Sequence, residues 1–590
     1  MNAPVRIVQR PQLTPSPELL ESFHPTLARV YASRGLSSRQ DVDYALSRLH
    51  PFDTLHGLTQ AVALLERSLR EQWRVIVVGD FDADGATGST VALRGLRALG
   101  LEDVSYLVPN RFEYGYGLTP ELVAVAAARE PQLLITVDNG ISSVAGAQAA
   151  HDAGLKLIVT DHHLPGDELP LCDAIVNPNQ AGDRFPSKAI AGVGVVFYLL
   201  LGLRAHLRES GWFAARGIGE PNFASLLDLV ALGTVADVVP LDVNNRVLVA
   251  QGLKRIRAGR CAPGITALLE FAGRAPARST AQDLGFAVGP RLNAAGRLSD
   301  MALGIECLLC DEPDAAHAMA KKLDELNRER REIESEMRDQ ALAHLEALPE
   351  LVPDDSASAA QGLALGLCLY QPEWHQGVIG ILAARIKDRL HRPVIVFADA
   401  GDGEPGQPQL KGSARSVSAL NVRDAIDAVA VRHPGLVGRY GGHAMAAGLS
   451  LPRAHFEAFA DAFDEEVRRH LRPDELNGTL ETDGSLDGGE IDIRLAHAIR
   501  AAGPWGQDFP EPLFDGEFGI ESRRIVGEKH LKLTLRAPGA RAPVDAIAFN
   551  VTDGDWPSET RTVRCVYRLD VNFYRGSESA QLMVEHIEPI

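Results

Sequence analysis

Four short runs of acidic and histidine residues, each placed where an apolar stretch ends, constrain the fold of this chain most. They are GDFDADG at 79–85, TVDNG at 136–140, TDHH at 160–163 and TVADVV at 234–239. The first three follow RVIVV, QLLIT and LKLIV, which are typical of buried parallel strands. In an open α/β sheet, the carboxyl ends of parallel strands line one crevice. Residues far apart in sequence are therefore predicted to share one pocket.

That pocket would hold seven charged or titratable side chains: Asp80, Asp82, Asp84, Asp138, His162, His163 and Asp237. So many partly desolvated carboxylates need cations or protons. Carboxylate oxygens with one or two imidazoles suit Mg²⁺ or Mn²⁺, whereas thiolates would favour zinc, and none of the four runs contains cysteine. The number of carboxylates predicts two ions, with Asp138, alone in its run, as the bridging ligand.

Each of these residues also has a less specific interpretation. An Asp at a strand end is often the N-cap of the next helix, and Asp80 is the member to which this applies most directly. Asp82 and Asp84 are two residues apart, so on an extended strand end they are expected to face the same side. Asp161 is expected to orient the two histidines rather than to bind metal.

The four runs, in this order, resemble motifs I to IV of the DHH phosphoesterase superfamily, whose name describes Asp161, His162 and His163. Four further segments resemble the RecJ branch of that superfamily and its DHHA1 domain: PRLNAAGRL at 290–298, WHQGVIGI at 374–381, KGSARS at 411–416 and GGHAMAAG at 441–448. The resemblance extends from about residue 45 to the end of the chain.

The resemblance implies a 5′→3′ exonuclease that degrades single-stranded DNA to 5′-mononucleotides in recombinational repair and mismatch repair. It also implies a RecQ-type helicase and a single-strand-binding protein as partners. The implied cofactors are two Mn²⁺ or Mg²⁺ ions held by Asp80, Asp82, Asp84, Asp138, His162 and Asp237. His163 is then expected to contact the scissile phosphate, with Asp161 beside it.

Other residues are candidates for binding substrate phosphates. In GGHAMAAG, Gly442 permits close backbone approach and His443 would donate to a phosphate oxygen, although Gly-Gly-His alone predicts only a turn. Ser413 and Arg415 would hold the next phosphate. In PRLNAAGRL, the candidates are Arg291, Asn293 and Arg297, for which the alternative is a salt bridge within a loop. Arg111 is a weaker candidate of the same kind.

The predicted fold class is α/β, with two lobes around a cleft and a C-terminal OB-like β-barrel. Its parts are a leader (1–45), a DHH parallel-sheet domain (46–310), a connecting helix (311–347), a DHHA1 α/β domain (348–472) and the barrel (473–590). A cleft that admits one strand but not two would select single strands by shape. Tyr567, Phe573 and Tyr574 are expected either to stack bases or to fill the barrel core.

The formal net charge of −19 argues against a large nonspecific duplex-binding surface, because phosphate neutralisation usually supplies much of that affinity. No signal-like segment is present, so a cytoplasmic protein, monomeric by default, is expected. One alternative is a DHH-family phosphodiesterase of short oligonucleotides or cyclic dinucleotides, against which the barrel argues. The other is a non-catalytic DHH-like replication scaffold, against which the intact ligand positions argue.

Overall fold

The computed structural model describes residues 5–110, 114–346, 364–400, 408–472, 476, 478–527, 529–552, 556, 559–574 and 576–590. Arg111 lies outside these described residues. The chain divides into two compact units. The larger unit comprises Gln9–Leu326 and Thr482–Ile590, and the smaller comprises Asn327–Glu481 with the residues that precede Gln9.

Strand β1 (Val5–Gln9) is followed by three helices: α1 (Pro17–Ser22), α2 (Pro25–Ser33) and α3 (Leu58–Glu71). Within the larger unit, α2 packs against residues that come much later in the chain. The Tyr31 hydroxyl donates to the carbonyl of Ala502, and Arg34, just after α2, forms a buried ion pair of 2.7 Å with Asp483. Part of the predicted leader is therefore built into the larger unit.

A five-stranded parallel sheet follows, in the order β3-β2-β4-β5-β6. Its strands are β2 (Val75–Gly79), β3 (Val104–Leu107), β4 (Leu133–Val137), β5 (Lys156–Thr160) and β6 (Ala174–Val176). The connecting helices are α4 (Ala83–Ala98), α5 (Pro120–Ala127) and α6 (Val144–Asp152). The strands β2 and β4 are buried along their whole length, because both faces of the sheet carry apolar side chains that pack on helices. The predicted βαβ organisation is thus confirmed.

The strand order places the topological switch point between β2 and β4. From β2 the chain passes to β3 on one side and then to β4 on the other side. Ligands of open α/β sheets bind outside the carboxyl ends of the strands at such a point. Asp80 and Asp138 follow these two strands directly.

A run of helices completes the parallel-sheet part. It contains α7 (Gly192–Glu209), α8 (Trp212–Arg216), α9 (Leu227–Ala236), α10 (Val243–Arg257), α11 (Pro263–Phe271), α12 (Ala281–Asp283), a π-helical turn (Leu284–Val288), α13 (Gly289–Leu298) and α14 (Ala302–Leu309). The PRLNAAGRL segment belongs to helix α13, so its interpretation as a loop is wrong. The predicted long helix is present as α15 (Pro313–Glu346), whose residues are divided between the two units.

The smaller unit contains a mixed five-stranded sheet in the order β10-β11-β9-β8-β7, in which β7 and β8 alone are parallel. Its elements are β7 (Leu367–Tyr370), α16 (Ile379–Leu390), β8 (Val394–Asp399), β9 (Gln409–Arg415), α17 (Val422–Arg432), β10 (Tyr440–His443), β11 (Ala446–Pro452) and α18 (Phe456–His470). Strand β12 (Gly478–Thr482) pairs with β1. The mixed sheet and its helices confirm the predicted second α/β domain.

The C-terminal part of the larger unit is helix α19 (Ile493–Ala502) and a closed five-stranded barrel. The barrel strands are β13 (Phe514–Val526), β14 (His530–Arg536), β15 (Val544–Ala548), β16 (Thr562–Tyr574) and β17 (Ser577–Pro589), in the order β13-β14-β15-β17-β16. The predicted OB-like barrel is thereby confirmed, and closure leaves it no free edge strand.

The three candidate stacking residues of the barrel have different environments. Tyr567 is fully buried against Phe514 and Phe518, so it fills the core, and the stacking interpretation is wrong for this residue. Phe573 lies beneath the guanidinium of Arg278, at 4.1 Å. Tyr574 is exposed.

Among the helices of the described residues, none combines the length and the apolar character needed to cross a bilayer.

Candidate metal centre

The GDFDADG run forms the turn from β2 into α4. Asp80 is buried, and its Oδ1 accepts a hydrogen bond from the amide of Phe81. Asp82 is the N-cap of α4, and its Oδ1 accepts from the amides of Asp84 and Gly85, both at 3.0 Å. The expected extended end with Asp82 and Asp84 on one side is therefore wrong, because the cap turns the chain into a helix. Helix capping, which the sequence raised for Asp80, is found at Asp82.

Asp84 lies in the first turn of α4 and is held by the start of another helix. Its Oδ2 accepts from the amide of Gly192 at 2.6 Å, and its Oδ1 accepts from the amide of Val193 at 3.0 Å. These amides open α7, which has no side-chain N-cap. Amides at a helix N-terminus favour a negative charge, so α7 both fixes and stabilises this carboxylate.

Asp138 follows β4 with a φ of +63°, which is uncommon for a residue other than glycine. The neighbouring Asn139 side chain is buried and ties the two central strands together. Its Nδ2 donates to the carbonyls of Val78, at 3.0 Å, and Val137, at 2.9 Å. Strained backbone of this kind is found where the surrounding structure imposes it, often at functional sites.

Asp161 organises the two histidines that follow it. Its Oδ1 accepts from the amides of His162 and His163 and lies 2.7 Å from Nδ1 of His163, while its Oδ2 accepts from the amide of Ile141. Burial acts to raise the pKa of Asp161, but the hydrogen bond and charge of His163 lower it overall. Burial acts to lower the pKa of His163, but Asp161 raises it overall. These contacts favour an orienting role for Asp161.

Two asparagines after β6 hold the backbone of the histidine pair. Asn177 Nδ2 donates to the carbonyl of His163 at 2.9 Å, and Asn179 Nδ2 donates to that of His162 at 2.6 Å. We did not predict either of them, nor Asn139, nor the amides of Gly192 and Val193. The pattern of polar residues at the end of an apolar strand also occurs in AIVNPN and would have indicated the two asparagines. The run of small residues AGVGVV, at the start of an apolar helix, would have indicated the amides of α7.

The ligand atoms of the four runs converge at the switch point. Three groups have ligand atoms within 4.8 Å of one another: Asp80, Asp82 and Asp138; Asp84, His162 and Asp237; and Asp138, His162 and His163. Nε2 of His162 lies 3.0 Å from Oδ1 of Asp138 and 3.4 Å from Oδ2 of Asp237, which caps the C-terminus of α9. Asp138 is shared by two of the groups.

The carboxylates of this pocket are buried close to one another. Burial, together with the neighbouring carboxylates, raises the pKa of Asp138 and Asp237 well above the usual range. Burial and the charge of Asp82 raise the pKa of Asp84 to about 7. Oδ1 of Asp138 and Oδ2 of Asp237 are buried and accept no hydrogen bond from the described residues. Oxygen-rich ligand sets with one or two imidazoles fit hard or borderline divalent cations.

The three candidates on α13 lie in the larger unit, but their contacts are with protein groups. Arg291 is buried and forms an ion pair of 2.8 Å with Asp324. This is the salt bridge that was the alternative to phosphate binding, but it is made from a helix and not within a loop. Oδ1 of Asn293 accepts from the amide of Ala83 at 2.7 Å, next to Asp82 and Asp84. Arg297 is partly buried in the last turn. Asn293 thus supports the turn that carries Asp82 and Asp84, whereas Arg291 joins α13 to Asp324 of α15.

The four candidates in the smaller unit lie on β9 and β10, the two strands that flank β11 in the sheet. His443 and Arg415 both pair in register with Ala446, so their side chains lie on one face of the sheet. Nη1 of Arg415 donates to Oγ of Ser413 at 3.2 Å. Gly442 has a φ of +138°, and a Cβ there would lie 2.5 Å from the carbonyl oxygen of Ala446, so this turn requires glycine. Together these residues form a polar patch on β9 and β10.

Three family descriptions match the sequence in separate segments. The DHH family N-terminal domain matches residues 74–234, the DHHA1 domain matches residues 361–469, and the RecJ OB domain matches residues 482–586. The first of these contains all of the predicted metal ligands except Asp237.

Full-length relatives agree with these matches. The chain is 52% identical to the single-stranded-DNA-specific exonuclease RecJ of Dickeya dadantii, over 100% of both chains. It is 51% identical to the enzyme of the same name from Escherichia coli, over 99% of both chains. The crystal structure of RecJ in complex with Mn²⁺ from Thermus thermophilus superposes with a TM-score of 0.80 at 31% identity, covering 100% of this chain and 80% of that one. The chain belongs to the RecJ family of single-stranded-DNA-specific exonucleases.

Proposed function

We propose that this protein is a metal-dependent exonuclease that hydrolyses the phosphodiester bonds of single-stranded DNA. The observation that carries the proposal is the convergence of carboxylate and imidazole ligand atoms at the switch point, in three groups that are linked through Asp138 and His162. The name and identity of the full-length relatives support the substrate. The closed barrel supports it as well, since OB-type barrels bind single strands.

Two Mn²⁺ or Mg²⁺ ions are the proposed cofactors. Solved structures of the Thermus relative contain Mn²⁺ in one case and Mg²⁺ in the other. Asp80, Asp82 and Asp138 would hold one ion, and Asp84, His162 and Asp237, with Asp138 shared, would hold the other. Bound divalent ions supply a nucleophilic water and neutralise the charge that develops on a phosphate. Helix α7 holds Asp84 in place for this task through the amides of Gly192 and Val193.

His163 is the proposed phosphate-contacting residue of the larger unit. Its Nδ1 is engaged by Asp161, which fixes the ring, and the side chain is about one-third exposed, at 33%. Burial acts to lower the pKa of His163, but Asp161 raises it overall, which increases the imidazolium fraction at any given pH. The protonated ring would carry a positive charge toward an anionic substrate, and Asp161 would position it.

Arg415 is the proposed phosphate-binding residue of the smaller unit. Burial lowers the pKa of its guanidinium, and no carboxylate among the described residues pairs with it. A partly buried cation whose contacts are a hydroxyl and a carbonyl retains capacity for an anion. A Cβ at Gly380 of α16 would lie 3.1 Å from Nη2 of Arg415, so the WHQGVIGI segment shapes this position. Ser413, Gly442 and His443 are proposed to contribute to the same phosphate contact.

Other parts of the proposal follow the family. They are 5′→3′ polarity, 5′-mononucleotide products, a role in recombinational repair and mismatch repair, a monomeric state and a cytoplasmic location. The proposed protein partners are a single-strand-binding protein and a RecQ-type helicase. The domain bounds given above, and the substrate-binding roles of Arg111, Arg291, Asn293 and Arg297, are retained as proposals. The observed contacts instead favour a salt bridge to Asp324 for Arg291 and support of the proposed metal-binding turn for Asn293.

The test is digestion of single- and double-stranded oligonucleotides labelled at either end, with Mn²⁺, with Mg²⁺ or with a chelator. We expect metal-dependent release of mononucleotides from the 5′ end of the single strand. Release from the 3′ end first would refute the polarity, and equal rates on duplex DNA would refute the specificity. A faster rate on dinucleotides than on long strands would instead favour the short-oligonucleotide alternative.

Two variants with matched controls locate the activity. Arg415→Gln should raise KM for the single strand, whereas Arg423→Gln, at an exposed position of α17, should leave it unchanged. Asp138→Ala should abolish hydrolysis, whereas Asp152→Ala, at an exposed position of α6, should not. Full activity of Asp138→Ala would contradict the site assignment. No turnover by the wild-type protein under any of the metal conditions would favour the scaffold alternative.

A further inference from the structure

An exposed phenylalanine occupies an unusual backbone segment near the metal centre. Phe286 is 79% exposed, the highest value among the large apolar side chains that the structure describes. It lies in the π-helical turn Leu284–Val288, which interrupts the helical segment between α12 and α13. Turns of the π type are rare and occur frequently at functional sites. An exposed aromatic side chain in such a turn is a candidate for contact with a ligand.

The segment that carries Phe286 packs directly beside a predicted metal ligand. A Cβ at Gly285 would lie 3.1 Å from Cγ1 of Val235, and a Cβ at Gly289 would lie 3.1 Å from Cβ of Ala236. Val235 and Ala236 are the last two residues before Asp237. Gly285 within this turn and Gly289 directly after it thus allow the turn to pack closely against the end of α9 that leads into Asp237.

A second exposed apolar residue lies on the other side of Asp237. Val238 is 64% exposed and has a φ of +62°. For a β-branched residue this backbone conformation is a genuine outlier, which persists only where the surrounding structure imposes it. Asp237 is therefore followed in sequence by Val238, and the residues just before it pack against the turn of Phe286; Phe286 and Val238 both present apolar surface to solvent.

We propose that Phe286 is a stacking platform for a nucleobase of the substrate strand, and that Val238, next to Asp237 in sequence, adds apolar surface to the same site. This inference rests on the proposed function, because it takes the ligand of the metal centre to be a single strand. A nuclease that degrades strands of any sequence must hold whichever base arrives, and an aromatic ring stacks on every base without reading its hydrogen-bonding groups. Phosphate held at the metal centre would bring its own base to the apolar surface beside Asp237.

The first experiment measures kcat/KM on single strands that carry an abasic residue at one position, moved stepwise from the 5′ end. For the wild-type protein we expect a position at which the missing base lowers kcat/KM by about 10-fold. The Phe286→Ala substitution should lower kcat/KM on the normal strand by about the same factor. The abasic residue should then lower kcat/KM of this variant no further. Phe286→Tyr should retain the wild-type rate, and Phe286→Leu, which has no π-face, should not.

Leu20→Ala is the control, because Leu20 is an exposed apolar residue on α1 and its loss should change neither substrate's rate. If Phe286→Ala lowered kcat/KM equally on normal and abasic strands, the proposal would be overturned. Unchanged kcat/KM on both strands would overturn it as well.

A second measurement does not depend on hydrolysis. A single strand that contains 2-aminopurine is bound without added metal, and the fluorescence of the 2-aminopurine is measured. The wild-type protein should quench this fluorescence, and Phe286→Ala should not. Quenching that is equal in both proteins would also overturn the inference. A wild-type protein that binds and quenches the strand but never cleaves it would instead refute the proposed function and leave the stacking site standing.

Discussion

Gly192→Ala is the substitution that tests the architecture of the metal centre most directly. Gly192 opens α7, and its amide donates to Oδ2 of Asp84 at 2.6 Å. A Cβ at this position would lie 2.6 Å from Cβ of Asp138 and 2.8 Å from Oδ1 of the same residue. One methyl group would therefore press on the shared ligand while displacing the helix end that holds a second ligand.

The size of the effect follows from these distances. Ordinary van der Waals contact begins near 3.4 Å, so the new Cβ is about 0.8 Å too close to that of Asp138. The neighbours cannot yield easily, because Asp138 sits on a strained backbone tied by Asn139 to the buried strand β2. Ligand positions in metal sites tolerate about 0.2 Å, and a misplacement of about 1 Å costs about 100-fold in rate. We expect kcat/KM to fall by about 100-fold and Mn²⁺ affinity to fall with it.

The matched control is Gly202→Ala, the same substitution in the same helix. Its Cβ would lie 3.0 Å from Cδ2 of Leu58, the far end of a flexible side chain that can rotate away. Both variants replace a buried glycine of α7 by alanine, and only Gly192→Ala places the new methyl group against Asp138. Hydrolysis of a labelled single strand, calorimetric Mn²⁺ titration and thermal unfolding should be measured for both. Gly192→Ala that binds Mn²⁺ and cleaves DNA like Gly202→Ala would refute the reasoning.

Three further predictions concern single groups. Asp138→Asn should lower hydrolysis by about 1000-fold or more without lowering the Tm of the metal-free protein, because it removes a buried, uncompensated carboxylate; a clear loss of metal-free Tm would contradict this. The folded-state pKa of Asp84 is raised to about 7, above the unfolded value near 4, so the metal-free protein should lose stability from this group as pH rises toward 7. Added Mn²⁺ replaces the proton, and its effect on Tm should therefore grow from about pH 5 to about pH 8; a constant effect would argue against this titration. Tyr567→Phe should leave stability unchanged or raise it by about 1 kcal/mol in urea unfolding, with unchanged DNA affinity, because the buried hydroxyl has no hydrogen-bond partner among the described residues.

Much of the metal centre could be predicted from local patterns. Asp80, Asp138 and His162 follow apolar runs of strand length, and parallel strands bring their carboxyl ends to one edge whatever the connecting helices are. The choice of oxygen and imidazole ligands then indicates the kind of ion. The resemblance to a known superfamily added the activity and the substrate, which these patterns do not contain.

The errors arose where local rules leave a choice open. An Asp-x-Asp pair fits both a strand end and a helix N-terminus, and the cap at Asp82 decided for the helix. Arg291 carries a positive charge suited to binding a phosphate, but its guanidinium is paired with Asp324, 33 residues later in the chain. Tyr567 lies in a segment whose apolar and polar residues alternate as in a strand. Which face of that strand points into the barrel depends on how the barrel closes, and the local pattern does not determine this.

By itself, the sequence determined the parallel strands, the long helix, the barrel and which residues are candidates for binding metal. Each of these depends on periodicity, residue chemistry or the order of motifs along the chain. Tertiary structure alone decided that Gly192 and Val193 hold Asp84, that Asn139 joins β2 to β4, and that Phe286 lies beside the residues that lead into Asp237. The physical reason is that such contacts join backbone amides and side chains far apart in the chain, and their geometry is fixed only when the intervening elements have packed.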